Sequence, residues 1–285
     1  MNGYTFVTRH SGKQGLFMKS TISEKYGPWA LITGGTSGIG AALAEELAQS
    51  GVNLLLAARN ATKLGQQAQS LKRRHRVEVE TISVDLSEND GFRELIDKTQ
   101  NYDVGLFIPS AALENNGEFT QIEAKDELRL LQLNVISVYA LTHHFAKRMQ
   151  ERKRGGILLV TSLSGIMPSP YFSNYAGSKA YVQNLGYSLN WEMRRYNIDV
   201  SVLAPGPTAT PMLEGTGVDF SKTQMNIMSA KSVAQIALKG LGRKAVIVPG
   251  LKNRIMAFML KYLISTKKAI SMNGKMMEKV ADFNK

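Results

Sequence analysis

Short apolar runs and longer amphipathic stretches alternate along this chain from about residue 28 to residue 250. "WALIT" is followed by a glycine-rich segment and then by apolar positions at helical spacing, Ala41, Leu43, Ala44, Leu47 and Ala48, ending at Gly51. "VNLLLAA" comes directly after. That order predicts strand, turn, helix, strand. The alternation repeats. "VEVETISV" follows a helical pattern at 61–74, "VGLFIPSA" one near 88–100, and "GILLVTS" a long one near 121–150. "IDVSVLAP" follows the helix that begins near Tyr175, and "AVIVPG" one near 230–242. Seven strands are predicted. Their apolar runs are near-continuous, as strands covered on both faces require. The expected fold is α/β, a doubly wound parallel sheet of Rossmann type. No linker, repeat or low-complexity stretch divides 28–250. Residues 1–27 read as an N-terminal extension and 251–285 as a basic, methionine-rich C-terminal one.

Charge changes this picture little. The chain carries a net +12, but half of the excess lies beyond residue 250. "KRRHR" at 72–76 and "KRMQERKR" at 147–154 fall at predicted helix ends, where cations favour the helix dipole. There is no basic stripe of the kind nucleic acid requires, so no nucleic-acid partner is expected. Cysteine is absent, excluding disulfides, thiolate nucleophiles and Cys-based metal sites. This agrees with a reducing compartment, and a cytoplasmic location is expected. No apolar run reaches the roughly 18–20 residues of a membrane span, and the first 28 residues lack a signal-like apolar core. His10, His75, His143 and His144 lack metal-ligand spacing, and no metal is expected. Neither a G-x-S-x-G elbow nor a Walker A loop occurs.

The chemistry concentrates in three places. "TGGTSGIG" at 33–40 joins the first strand to the first helix. Gly34, Gly38 and Gly40 permit a tight turn and close backbone approach to a pyrophosphate, with Thr36, Ser37 and Ile39 between them. The helix N-terminus behind supplies amides for phosphates. At the end of the second strand, where an acid would bind the ribose of NAD, the charged residue is Arg59. A guanidinium suits a 2′-phosphate, and the Ser37 hydroxyl could add to it, so NADP(H) is favoured over NAD. The competing role for Arg59 is to cap the next helix. Finally, "YAGSK" puts Tyr175 and Lys179 four apart on one helix face. That pair is either a tuned phenol with its cation or a chance pair on a solvated helix.

In combination these motifs resemble those of the classical short-chain dehydrogenase/reductases over about residues 28–250. "VDLS" at 84–87, "LNVIS" at 133–137, "VTSLSG" at 160–165 and "APGPTATPM" at 204–212 complete the likeness. The resemblance implies a nicotinamide-dependent oxidoreductase. Tyr175 would be the general acid, Lys179 its partner, Ser162 the residue that holds the carbonyl oxygen, and Asn134 the holder of a water behind Lys179. Asp85 and Leu86 would lie against the adenine, and Pro205, Gly206 and Thr208 beside the nicotinamide. Ala111 keeps the small residue of the family's strand-end motif. Lys179 and the oxidised nicotinamide, both cationic, are expected to lower the Tyr175 pKa from about 10. The family's "NNAG" reads "PSAA" here, at 109–112, which puts cofactor affinity and the shape beside the ribose in question. Relatives commonly pair through two long helices, so a homodimer or homotetramer is expected.

Beyond "APGPTATPM", residues 213–230 offer Leu213, Val218, Phe220, Met225, Ile227 and Met228, with Met212 before them. Lys222 stands alone, with no arginine fork for a small acid. An apolar carbonyl substrate is expected, with a 3-oxoacyl group among the candidates, unless these residues only pack the lid down. The expected activity is NADPH-dependent carbonyl reduction. The alternative is a non-catalytic NADP-binding sensor or scaffold module. The tail is expected to be helical and to pack beside the substrate mouth or a second subunit, with internal packing placed ahead of peripheral contact with a membrane surface. Residues 1–17 show no periodicity and are expected to be dispensable.

Overall fold

The computed structural model describes residues 22–219 and 226–280. The expected segment 1–17 and the lid residues Phe220, Lys222 and Met225 lie outside them.

Seven parallel strands form the central sheet: β1 (Trp29–Thr33), β2 (Asn53–Ala58), β3 (Val79–Ser83), β4 (Val104–Pro109), β5 (Gly155–Val160), β6 (Ile198–Leu203) and β9 (Val246–Ile247). Their order is β3-β2-β1-β4-β5-β6-β9. Two-residue strands β7 (Thr208–Ala209) and β8 (Met228–Ser229) pair separately. The helices are α1 (Gly38–Gln49), α2 (Ala61–His75), α3 (Gly91–Lys98), α4 (Ala124–Leu131), α5 (Val138–Arg152), α6 (Ser173–Glu192), α7 (Pro211–Gly215), α8 (Ala230–Gly240), α9 (Leu251–Tyr262) and α10 (Thr266–Val280).

The sheet is a middle layer. Side chains alternate across it, so Ala30 and Ile32 of β1 face one core while Leu31 faces the other. Leu43 and Leu47 of α1, Leu64 of α2 and Val233 of α8 fill the first core. Leu95 of α3, Leu141 and Phe145 of α5 and Val182 of α6 fill the second. This is why the strands read as continuous apolar runs. The strand order reverses between β1 and β4, and the loops leaving those strands open a crevice at their carboxyl ends.

Three boundaries differ from expectation. The long helix near 121–150 is interrupted by a π-helical segment, Gln132–Ser137, between α4 and α5. The N-terminal segment is not wholly outside the core. Residues 22–26 are helical, and the Tyr26 ring is buried with its hydroxyl donating to Asp199 Oδ2 at 2.8 Å. Nor is residue 250 the end of the packed unit. Asn253 is buried beyond it and donates to the Pro249 carbonyl at 2.9 Å.

Candidate active site

The site is assembled at the reversal in strand order. Gly34 and Gly38 take φ of +70° and +54°, which residues with a Cβ rarely adopt. Space forbids a side chain at Gly40 too: a Cβ there would lie 2.3 Å from the Gly34 carbonyl oxygen. The turn therefore presses the start of α1 against β1. Ser37, at the N-cap of α1, makes no capping hydrogen bond with its side chain, so its hydroxyl remains available to the crevice. An amide-rich, side-chain-free helix N-terminus suits a phosphate group. Arg59 leaves the end of β2 exposed. Among the described residues no carboxylate lies within ion-pair distance of it. Its neighbour Asn60, rather than Arg59, caps α2, accepting from Lys63 N at 2.9 Å. That removes the capping role considered for Arg59.

Asp85 accepts from Ser87 N at 2.9 Å and from Ser87 Oγ at 2.6 Å. Burial pushes its carboxyl up, but those bonds and the Arg59 and Arg129 charges hold it below the usual carboxylate range. Leu86 is buried beside it, its carbonyl accepting from Ser137 Oγ at 2.7 Å. Pro205, Gly206 and Thr208 form the opposite wall. Thr208 Oγ1 donates to the Gly206 carbonyl at 2.9 Å, and Gly206 lies against Asn253 of α9 with no room for a Cβ.

The reacting groups meet between these walls. Ser162 follows β5, and its Oγ accepts from Ser164 N at 3.2 Å. The Ser162 hydroxyl stands near enough to the Tyr175 phenol to favour its ionised form. Tyr175 and Lys179 share one face of α6, both buried, with Lys179 Nζ 5.5 Å from the Tyr175 ring centroid. Lys179 Nζ donates to the Val160 carbonyl at 3.3 Å. Asn134 is 1% exposed and lies in the π-helical segment. Its side chain pairs with Leu113 as a backbone would, Oδ1 accepting from Leu113 N at 2.9 Å and Nδ2 donating to Leu113 O at 2.8 Å. Nδ2 also donates to Ser178 Oγ at 3.2 Å. Among the described residues, a cleft of about 560 Å³ is lined by all the expected site residues except Asn134, which stands behind it.

Without a cofactor the Tyr175 shift runs upward, whereas the lowering expected from the sequence counted the charge of a bound oxidised nicotinamide. Burial and the charge of Glu114 hold the phenol above its ordinary pKa, and the Ser162 hydroxyl only partly offsets them. Burial lowers Lys179 to about 8, with Glu114 opposing, so the lysine lends the phenol less positive charge than its sequence position suggests. Glu114 itself escapes a reading of the sequence. It lies in "ENN", which looks like an ordinary polar loop, yet it lines the cleft. Burial raises its carboxyl to about 7 against the pull of Lys179. Met256, Leu260, Asn273 and Met277 were also unforeseen as individual residues. They come from α9 and α10 and line the cleft opposite the glycine-rich turn. Leu213 and Met212 line it as expected, and Val218 packs with Tyr175, Phe172 and Met277.

The short chain dehydrogenase family model matches residues 28–219. The chain belongs to that family. It is 30% identical over 231 residues to a 7beta-hydroxysteroid dehydrogenase of Clostridium sardiniense, covering 81% of this chain and 88% of that protein. It is 31% identical over 228 residues to a very-long-chain 3-oxoacyl-CoA reductase of Mus musculus, covering 79% and 72% respectively. Its fold superposes with a TM-score of 0.76 on a short-chain dehydrogenase from Sphingobium yanoikuyae in complex with NADPH, at 28% identity, covering 90% of this chain and 97% of that one. The chain is thus an oxidoreductase of the CH–OH/C=O type that uses a nicotinamide cofactor. Its glycine-rich turn, uncrowded α1 N-terminus and small residues at 110–112 fit such a group.

Proposed function

We propose that this protein is an NADP(H)-dependent carbonyl reductase, working reversibly as an alcohol dehydrogenase on bulky apolar ketones, 3-oxoacyl groups among them. The observation that carries the reading is the placement of Ser162, Tyr175 and Lys179 in one cleft, between a phosphate-suited turn and a wall of methionine and leucine side chains. NADP(H), when bound, supplies or accepts the hydride. Arg59, exposed at the end of β2 and outside ion-pair distance of any carboxylate among the described residues, would hold the 2′-phosphate, with Ser37 beside it. Asp85 and Leu86 would face the adenine. Thr36, Gly38 and Ile39 would line the phosphates, with Ala111, Pro205, Gly206 and Thr208 nearer the reacting centre.

The chain's own residues then divide the work. Ser162 Oγ holds the carbonyl oxygen beside the phenol. Tyr175 donates its proton to that oxygen as charge develops, and it takes the proton back in the oxidative direction. Its raised pKa keeps it protonated at neutral pH, which suits donation. Lys179, with its pKa lowered to about 8, is still largely protonated at neutral pH and can pass a proton towards Tyr175 and stabilise the tyrosinate as it forms. Asn134 fixes Leu113 and Ser178, and through them the loop that carries Glu114. Met212, Leu213, Met256, Leu260 and Met277 exclude water and accept a bulky apolar body.

The same reading includes a homodimer or homotetramer. Ile136, Tyr139 and Tyr181 are exposed on or beside the two long helices, α5 and α6. It also includes a cytoplasmic location, in keeping with a chain that has no cysteine. The test is NADPH consumption across a graded panel of ketones and 3-oxoacyl thioesters. Tyr175→Phe keeps the ring and removes the proton. NADPH binding, followed by fluorescence, should survive while turnover falls by about two to four orders of magnitude. Turnover within twofold of the unaltered enzyme would remove Tyr175 from the mechanism. NADPH binding with no turnover across the whole panel would favour a sensor or scaffold module.

A further inference from the structure

The C-terminal helical hairpin, α9 and α10, has two faces with different occupants. Asn253, Met256 and Leu260, at i, i+3 and i+7, turn inward. Asn253 is wedged against Gly206, while Met256 and Leu260 line the catalytic cleft. The outward side of the same helix carries Leu251, Ile255, Phe258, Met259 and Tyr262, followed by Leu263, each between 42% and 68% exposed. At 100° per residue these fall on a single stripe. Phe258 and Tyr262 continue it as a ring pair 5.2 Å apart. Lys252 flanks the stripe on one side, and Arg254 and Lys261 on the other. Lys267 and Lys268 follow at the start of α10, all exposed. Over 251–280 seven Lys and Arg stand against one acid, Glu278, a net +6. Among the described residues none of these cations is paired with a carboxylate.

We propose that this stripe docks the protein on an anionic lipid bilayer. An exposed apolar ridge collared by unpaired lysine and arginine matches the acyl–headgroup boundary, where apolar side chains insert and cations meet lipid phosphates. A second copy is the poorer occupant, because two such faces would bring like charges of +6 together. The placement also has a purpose, which rests on the apolar-substrate reading above. One helix separates the bilayer from the cleft mouth, so a bilayer-dissolved ketone would enter past Met256 and Leu260 without crossing water.

The experiment is co-sedimentation of the full-length protein with vesicles of phosphatidylcholine alone and of phosphatidylcholine mixed with phosphatidylglycerol. Binding should be at least about tenfold stronger to the anionic vesicles and should weaken with salt. The double variant Phe258→Glu, Leu263→Glu should lose about tenfold or more of that binding. It should keep its melting temperature and its NADPH turnover with a water-soluble ketone, since neither residue lines the cleft. Equal binding to both vesicle types, or no binding, would overturn the proposal. So would a double variant that binds as well as the unaltered protein. If the substitutions reduce oligomer size in light scattering while vesicle binding is absent, the stripe is a contact between copies. Because vesicle binding needs no turnover, an inactive enzyme that binds anionic vesicles would reject the catalytic reading and leave this one standing.

Discussion

Among the described residues that line the cleft, Glu114 is the carboxyl whose charge acts on Tyr175 and Lys179, and Glu114→Gln isolates it. In the folded protein burial lifts Glu114 from 4.5 to about 7, with Lys179 resisting. The unfolded chain releases that proton near the ordinary value. Below about pH 4.5 both states hold it, and Glu114 costs the fold nothing. As pH rises through the folded value, the unfolded state has already gained by ionising, and stability falls. Moving a carboxyl from 4.5 to about 7 corresponds to about 3 kcal/mol, at about 1.36 kcal/mol per pH unit. Glu114 retains some solvent contact, so about 1.5–3 kcal/mol is the expected range. At about 2–4 °C per kcal/mol for a domain of this order of size, that becomes about 3–12 °C.

The assay is the melting temperature of the cofactor-free enzyme and of Glu114→Gln, between about pH 4.5 and pH 7.5. Other titrating groups cancel in the difference, and the window stops short of Lys179. Relative to the variant, the unaltered enzyme should lose those degrees as pH rises. The charge next to the phenol gives a second readout. Glu114 is one of the two influences that raise Tyr175. Its removal should move the pH profile of alcohol oxidation to lower pH. Two melting curves that stay parallel across the window would refute the argument, because a carboxyl that ionises equally in both states contributes no slope.

Two further outcomes test the cofactor side. Arg59→Asp puts a carboxylate where the 2′-phosphate would lie and should cost NADPH about 2–5 kcal/mol of affinity while improving NADH; an unchanged NADPH/NADH preference in fluorescence titrations would mean the phosphate is held elsewhere. Gly40→Ala would set a methyl 2.3 Å from the Gly34 carbonyl, so the turn must move by about 1 Å to restore contact distance; NADPH dissociation constants should rise by about a hundredfold with circular dichroism unchanged, and a change under twofold would show the turn to be pliant.

Sequence reading succeeds where one physical constraint dominates. Strands buried on both faces, such as "NLLLAA" and "GGILLV", admit little but apolar residues, so their positions and the fold were legible. The glycine-rich turn was legible because only glycine tolerates its φ angles and its lack of space. What stayed hidden depends on long-range packing. Glu114 looks like any loop acid until the cleft closes around it. The tail's Met256 and Asn253 look like their neighbours Met259 and Lys252 until the fold decides which side of α9 turns inward. The Tyr175–Lys179 pair was visible as i and i+4, but the direction of the phenol's shift was not. Spacing carries no measure of burial, and burial raises the phenol and lowers the lysine.

The departure at 109–112 also becomes intelligible once its partners are in place. Pro109 ends β4, still in register with Thr33 of β1 but two residues beyond the last β4–β5 pairing at Phe107, a strand-end position where proline is tolerated. The amides of Ser110 and Ala111 both donate to Thr33 Oγ1, each at 3.1 Å. Asn134 then clamps Leu113 at both its amide and its carbonyl. The segment is held by Thr33 and Asn134 rather than by its own side chains, and this allows "PSAA" to stand where the family has "NNAG". Glycine remains required at position 34, because a Cβ there would lie 2.8 Å from Ala111 Cα and 2.9 Å from Ala111 N. Thr33→Val keeps the shape and removes the acceptor. Two part-buried amides then lose their partner at about 1–3 kcal/mol each, less whatever water in the cleft restores. The variant should melt several degrees lower, bind NADPH more weakly and leave the β1 core packing intact, while Thr33→Ser should recover both properties. If Thr33→Val binds NADPH and melts as the unaltered enzyme does, the segment is held by something other than this threonine, and the account of its tolerance fails.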